Sequence, residues 1–247
     1  MGERFLILGG TGEARALANR LNGLGLDVVT SLAGRTDNPL LPDGETRIGG
    51  FGGVRGLATY LRAEAITLLI DATHPFAARI SMNATEAAHQ AGIRIVRLER
   101  QPWKAATGDQ WHHVQSLEDA VFALPERATV FVTIGRQQLA AFMERDDIRV
   151  VARAIEGPKI TLPKSWTMIL DRPPFTLEHE IALFTDYRVD VLVTKNAGGN
   201  ETWEKLLAAR HLCKPVIMID RLPKPAVATY ETIDEIMSVA TAAPKPF

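Results

Sequence analysis

The feature that most constrains this chain is an alternation: short, unbroken apolar runs separated by stretches with helical spacing. Residues 5–8 read Phe-Leu-Ile-Leu, and residues 67–71 read Thr-Leu-Leu-Ile-Asp. Between them, Ala14, Leu17, Ala18, Leu21 and Leu24 recur with helical spacing, and Gly25 ends that stretch. A strand that is apolar on consecutive residues must be covered on both faces, so its alternation with helices points to parallel β-α-β units. The pattern predicts strands at 5–8, 27–33, 47–48, 67–71 and 94–98, and helices at 13–24, 54–64 and 77–91. Residues 99–115 break the rhythm with Pro102, Trp103, Gly108, Trp111 and the pair His112-His113. That pair has no partners at metal-ligand spacing and reads as linker. Strands are then expected at 129–134, 150–154, 167–170, 191–194 and 216–219. Helices are expected at 117–124, 137–144, 177–187, 202–209 and 232–240, and the Pro-rich tail is expected to fray. The chain is thus read as two α/β lobes, 1–100 and 101–247, with the break at 99–115.

With 247 residues, 46% apolar and 23% charged, the chain can build two cores and is not disordered. A formal net charge of -1 sets up no global attraction to nucleic acid or to a membrane surface. No run reaches the roughly 18 apolar residues of a membrane span, and the first residues lack a signal-peptide layout. A cytoplasmic protein is expected. The single cysteine, Cys213, excludes an intrachain disulfide and a cysteine-based metal site, and its apolar setting predicts a buried, inert thiol. Of the 28 basic residues, 20 are arginine; arginine grips carboxylates and phosphates through a planar fork that lysine lacks.

Open parallel sheets bind ligands beyond the carboxyl ends of their strands, so the strand tips carry the functional reading. The first tip is Gly9-Gly10-Thr11-Gly12-Glu13, a glycine turn from strand to helix, which lets backbone N–H groups meet a phosphate. It departs from G-x-G-x-x-G because Arg15 holds the third glycine position. Gly10-x-Gly12-x-x-x-Ala16 fits one residue longer, with Ala16 as the small residue packed on the sheet. Gly10, Thr11, Gly12 and Glu13 are therefore candidate cofactor-binding residues. The second tip, Ser31-Leu32-Ala33-Gly34-Arg35, has no acid for a free ribose 2′-hydroxyl, whereas Ser31 and Arg35 suit a 2′-phosphate. The expected cofactor is NADPH. Gly49-Gly50-Phe51-Gly52-Gly53 is a third tip.

At the fourth tip, Asp71-Ala72-Thr73-His74-Pro75-Phe76, His74 can bond substrate or move a proton; spacing alone supports a capping role equally. In the second half the tips contain Gly135-Arg136, Thr194-Lys195-Asn196-Ala197-Gly198-Gly199 and Asp220-Arg221. Lys195 is a candidate anion anchor. The candidate set is completed with His74 and Lys195 as catalytic residues, and Gly52, Thr73, Arg136, Asn196 and Arg221 as substrate-binding ones. No metal site is expected.

Taken in order, the motifs Ile7-Leu8-Gly9-Gly10-Thr11-Gly12-Glu13, Ser31-Leu32-Ala33-Gly34-Arg35, Gly49-Gly50-Phe51-Gly52-Gly53, Asp71-Ala72-Thr73-His74-Pro75-Phe76-Ala77, Arg97-Leu98-Glu99-Arg100 and Thr194-Lys195-Asn196-Ala197-Gly198-Gly199 resemble those of the precorrin-6A reductases of cobalamin biosynthesis. They span residues 7–199, and the Asp-Ala-Thr-His-Pro-Phe-Ala run is the specific one. The resemblance implies two Rossmann-like lobes with parallel sheets and a cleft between them. It also implies NADPH-dependent reduction of one double bond of the small-molecule tetrapyrrole precorrin-6A, giving precorrin-6B. Such a substrate carries many carboxylates, and Arg136, Lys195, Arg221 and Arg100 stand at tips where donors belong. The alternatives left open are a cobalt-bearing form of the substrate, an NADPH-dependent reductase of another metabolite, and a non-catalytic nucleotide-binding module.

Overall fold

The computed structural model describes residues 3–242; the Pro-rich end of the tail, 243–247, lies outside them. The chain divides into two compact units, one of Met1–Gln101 with Pro223–Phe247, the other of Pro102–Leu222. Each unit holds one six-stranded sheet, and every strand pairing is parallel.

In the first unit the strands are β1 (Arg4–Leu8), β2 (Asp27–Leu32), β3 (Glu45–Ile48), β4 (Leu68–Asp71), β5 (Arg94–Leu98) and β12 (Ala228–Tyr230), in the order β12-β5-β4-β1-β2-β3. Alternate residues of a strand face opposite sides, and β1 shows why its run is wholly apolar. Phe5 and Ile7 pack with Leu17 and Leu21 of α1 (Gly12–Gly23) and Ile236 of α7 (Ile233–Thr241). Leu6 and Leu8 pack with Leu57 and Leu61 of α2 (Val54–Ala63) and Ala84 and Ala88 of α3 (Ala78–Ala91). The order reverses between β1 and β4, which opens the crevice where such sheets bind nucleotides.

The second unit holds β6 (Trp111–Val114), β7 (Thr129–Val132), β8 (Arg149–Ala154), β9 (Thr167–Leu170), β10 (Val191–Lys195) and β11 (Val216–Ile219), in the order β6-β11-β10-β7-β8-β9. Its helices are α4 (Leu117–Phe122), α5 (Leu177–Asp186) and α6 (Glu204–His211), with a 3-10 helix at Arg136–Glu144. Leu183, Phe184, Leu206 and Ala209 close one face over Phe131, Val151 and Leu192. Both sheets share one plan: five strands in the sequence order 3-2-1-4-5, with a sixth strand at the outer edge. In each case the sixth strand comes from outside the consecutive five. β6 precedes the other strands of its sheet, and β12 returns to the first unit after the second is complete.

Several expectations change accordingly. His112 and His113 are not linker but the middle of β6, where His113 Nδ1 lies 2.8 Å from Asp220 Oδ1. Residues 223–242 belong with the first unit rather than the second. Both added strands are short edge strands that pair with one neighbour and leave residues exposed, so they lack an apolar run. Ala16 is exposed, while Ala14 and Ala18 face the sheet, because α1 opens at Gly12. Cys213 is exposed, in the left-handed turn that follows α6, so its thiol is not buried. Among the described residues no helix is long and apolar enough to cross a membrane.

Candidate active site

The turn from β1 to α1 is fixed by one hydroxyl. Thr11 Oγ1 accepts from the Ala14 N–H at 3.0 Å, capping α1, and donates to the Ala72 carbonyl at 3.1 Å, tying this turn to the tip of β4. The two tips that flank the crevice are thereby held in register. In this turn Gly9 is closely packed: a Cβ there would lie 3.2 Å from Thr30 Cγ2 and 3.5 Å from Ala14 Cβ. Gly10 adopts φ +111 with open space where a Cβ would stand, and Gly12 begins the helix. The first N–H groups of α1 have no intrahelical acceptor, and at φ +111 position 10 favours glycine. This cradle fits the phosphates of a nucleotide. Glu13, in the first turn, pairs with Arg100, and its Oε2 is buried with no hydrogen-bond partner among the described residues.

A pocket of about 220 Å³ opens beside this turn, lined by Thr11, Glu13, Thr73, Glu99, Arg100 and Thr232 among others. It lies over the tips of β1, β4, β5 and β12, on the far side of the crevice from β2. A larger groove of about 850 Å³ lies at the opposite, amino ends of β7 and β8, lined by Glu118, Phe122, Arg127 and Arg145, away from every tip.

The β4 tip is organised by Asp71, which is buried. It accepts from the Thr73 hydroxyl at 2.7 Å and the Thr73 N–H at 3.3 Å, and from Arg97 Nε at 3.0 Å. Burial alone would raise its pKa; hydrogen bonds from Thr73, Ser81 and Arg97, and the charge of Arg97, outweigh it and hold the carboxyl below its usual range. Arg97 also donates to the Pro225 carbonyl at 3.0 Å, and Lys224 lies 3.1 Å from Glu99. The segment entering β12 is thus bound to the tip. His74 follows, half-buried. Its Nδ1 accepts from the Phe76 N–H at 3.2 Å, so a neutral ring carries its proton on Nε2. This bond closes a turn ahead of α3, whose N-cap Ala77 has no side-chain cap, so His74 does not cap the helix.

At the tips of β2 and β3 the structure brings in a residue the sequence reading passed over. Ser31 Oγ accepts from Arg47 Nη1 at 3.0 Å, and the same guanidinium donates to the carbonyls of Gly49 and Gly50. Arg35 is exposed on the following loop. Gly52 is exposed with φ +75, just before α2. An arginine in β3 separated by one residue from a glycine run is the signal the sequence carries; β3 is only 4 residues long and has no apolar run to mark its tip.

In the second unit, Lys195 Nζ donates to the Ile134 carbonyl at 2.9 Å, joining the tips of β10 and β7. Asn196 is engaged at both ends of its amide: Oδ1 accepts from the Trp103 N–H at 2.7 Å and Nδ2 donates to the Trp103 carbonyl at 3.2 Å. Arg221 grips the carbonyls of Asn196 and Ala197 at 2.8 and 2.9 Å. Through these contacts Asn196 and Arg221 shape the loop. Arg136 pairs with Glu156 at 3.1 Å and the Gly157 carbonyl at 3.0 Å.

The family model Precorrin-6x reductase CbiJ/CobK matches residues 4–241. A precorrin-6A reductase of Rhodococcus erythropolis is 49% identical over 235 residues, 94% of each chain. A cobalt-precorrin-6A reductase of Priestia megaterium is 32% identical over 251 residues, 94% of this chain and 96% of the relative. A solved structure described as CobK precorrin-6A reductase aligns with a TM-score of 0.91 at 43% identity, covering 96% of this chain and 95% of that one. With a family match running along nearly the whole length, and a paired parallel-sheet architecture with a glycine turn at the strand-order reversal, the chain belongs to the Precorrin-6x reductase CbiJ/CobK family.

Proposed function

We propose that this protein is an NADPH-dependent reductase of precorrin-6A in cobalamin biosynthesis. The observation that carries the reading is the glycine turn at the β1/β4 reversal, with space beside the N-terminus of α1, in a chain whose relatives bear the name of that activity. The relative named for precorrin-6A is markedly more similar than the one named for the cobalt form, which favours the metal-free substrate.

Gly10, Gly12 and the N-terminus of α1 would hold the cofactor's phosphates, with Thr11 keeping the turn in place. Bound there, NADPH supplies the hydride. Addition of hydride to one end of a conjugated double bond leaves an electron pair that takes up a proton at the other end. His74 Nε2 is the proton-bearing atom offered by the β4 tip, and Asp71 with Thr73 fixes the loop that carries it. Lys195 and Arg136 are the cations of the second unit assigned to substrate carboxylates. A charge-assisted hydrogen bond to a carboxylate is worth about 1.5–3 kcal/mol.

Loss of NADPH absorbance on adding precorrin-6A, with and without cobalt, tests the reading. Consumption with the metal-free substrate is expected; consumption with neither form would sink it. Lys195→Ala and Arg136→Ala should each raise the apparent KM for the tetrapyrrole roughly ten-fold and leave the NADPH Kd unchanged. His74→Ala should lower kcat. Wild-type kinetics in all three would remove these residues from the site while leaving the activity itself standing.

A further inference from the structure

We propose that Arg47, together with Ser31, is the seat of the cofactor's ribose 2′-phosphate and sets the preference for the phosphorylated nucleotide. This rests on the NADPH reading above and names the residue that decides it.

The first observation is an imbalance of charge. Arg97, Arg136, Arg145, Arg153 and Arg210 each face a carboxylate. Arg47 is half-buried and has no carboxylate within ion-pair distance among the described residues. Its partners are a hydroxyl, two carbonyls and the face of Phe51, whose ring centroid lies 3.9 Å from the guanidinium carbon. Tyr60 adds a second ring at 5.3 Å. The positive charge is therefore oriented by neutral groups, with no carboxylate bonded to it that an incoming anion would have to displace.

The second observation is the set of hydrogens left over. Arg47 has five N–H groups. Two of Nη1 and one of Nη2 are used, which leaves Nε–H and one N–H of Nη2 without acceptors among the described residues. Ser31 Oγ accepts from Arg47, so its own O–H is available to donate. Three donors at one corner match a phosphomonoester dianion better than a neutral hydroxyl.

The third observation is place. Ser31 and Arg47 are register partners at the tips of β2 and β3, the position where such sheets read the adenosine ribose. Beyond them Gly49, Gly50, Gly52 and Gly53 have nothing within 4 Å of where a Cβ would stand. α2 then begins on Gly53 with no side-chain cap and no acid in its first turn, so no carboxylate there repels the incoming charge. Arg35, on the adjoining loop, is the outer cation of this corner.

Calorimetric titration with 2′,5′-ADP and with ADP separates the 2′-phosphate from the rest of the nucleotide and needs no turnover. Wild type should bind 2′,5′-ADP at least roughly ten-fold more tightly than ADP, and Arg47→Ala should bring that ratio to within about two-fold of unity. Arg35→Ala should lower it by only about two- to three-fold. Arg47→Lys keeps the charge and the stem over Phe51 but loses the fork, and should lower the ratio by about three-fold or more; it serves if the alanine variant does not fold. An unchanged ratio in Arg47→Ala or Arg47→Lys overturns the proposal. Equal weakening of both nucleotides also overturns it, because Arg47 would then merely hold its loop. A wild type with no preference for 2′,5′-ADP refutes the NADPH reading itself, a different failure from that of Arg47.

Discussion

Asp71 shows how one residue can join stability to function. Its carboxylate is buried, anchors the loop of Thr73 and His74, and is balanced by Arg97 from β5. Because its folded-state pKa lies below the ordinary 3.8, the stabilisation is fully present above that value. It is lost as pH falls through the lower folded-state value. Asp71→Asn should flatten the acid side of the stability profile, read as the urea midpoint while pH is lowered from about 4. At neutral pH the same variant leaves Arg97 buried without its carboxylate and should cost about 3–5 kcal/mol. A wild-type slope in the variant would show that Asp71 does not govern acid sensitivity.

Among the elements, α2 carries the clearest conflict between propensity and packing. Glycine in a helix interior is ordinarily improved by alanine, by up to about 1 kcal/mol. Gly56 inverts that expectation: a Cβ there would stand 1.7 Å from the Phe51 carbonyl oxygen. The glycine is what lets the Gly49–Gly53 loop fold back onto the first turn of the helix. Gly56→Ala should therefore destabilise the protein by about 1–3 kcal/mol and displace the loop carbonyls that orient Arg47. Thermal unfolding combined with 2′,5′-ADP titration checks both effects, and a variant of raised Tm with intact binding would contradict this account. Helix α1 illustrates the complementary case, in which Thr11 serves the element and the site with one oxygen.

For the whole molecule, the consequence of the topology is that the first unit is not finished until the chain has built the second. Ile236 and Ala240 of α7 are buried with Leu17 and Leu21 of α1. Ile236→Ala should cost about 2–5 kcal/mol. Hydrogen exchange should show the loss in β1, α1 and β5 while β7, β10 and β11 keep their protection. Loosening confined to the second unit would mean that the carboxyl-terminal helix belongs there after all. The same crossing of the chain brings Pro225 and Lys224 against Arg97 and Glu99, so the last segment also supports the β4 tip.

The consecutive apolar runs at 5–8, 67–71 and 191–194 determined by themselves that the protein is built of buried parallel strands, because only two-sided burial explains such runs. The glycine turn after the first of them marked the β1 tip at the strand-order reversal, where the proposed cofactor site lies. The resemblance of the tips in order also named the family correctly. Pattern could not reveal the two edge strands: Trp-His-His-Val and Ala-Thr-Tyr pair with a single neighbour, and half of a solvated edge has no reason to be apolar. Nor could it separate residues at a tip by what they do. Asn196 and Arg221 look like ligand donors in sequence, and in the fold they also hold backbone, while Arg47 looks like an ordinary strand residue but is a half-buried cation held by a hydroxyl, carbonyls and a ring. Periodicity reports which face is buried; the partner of a polar side chain depends on what the rest of the chain brings beside it, and tertiary structure alone supplies that.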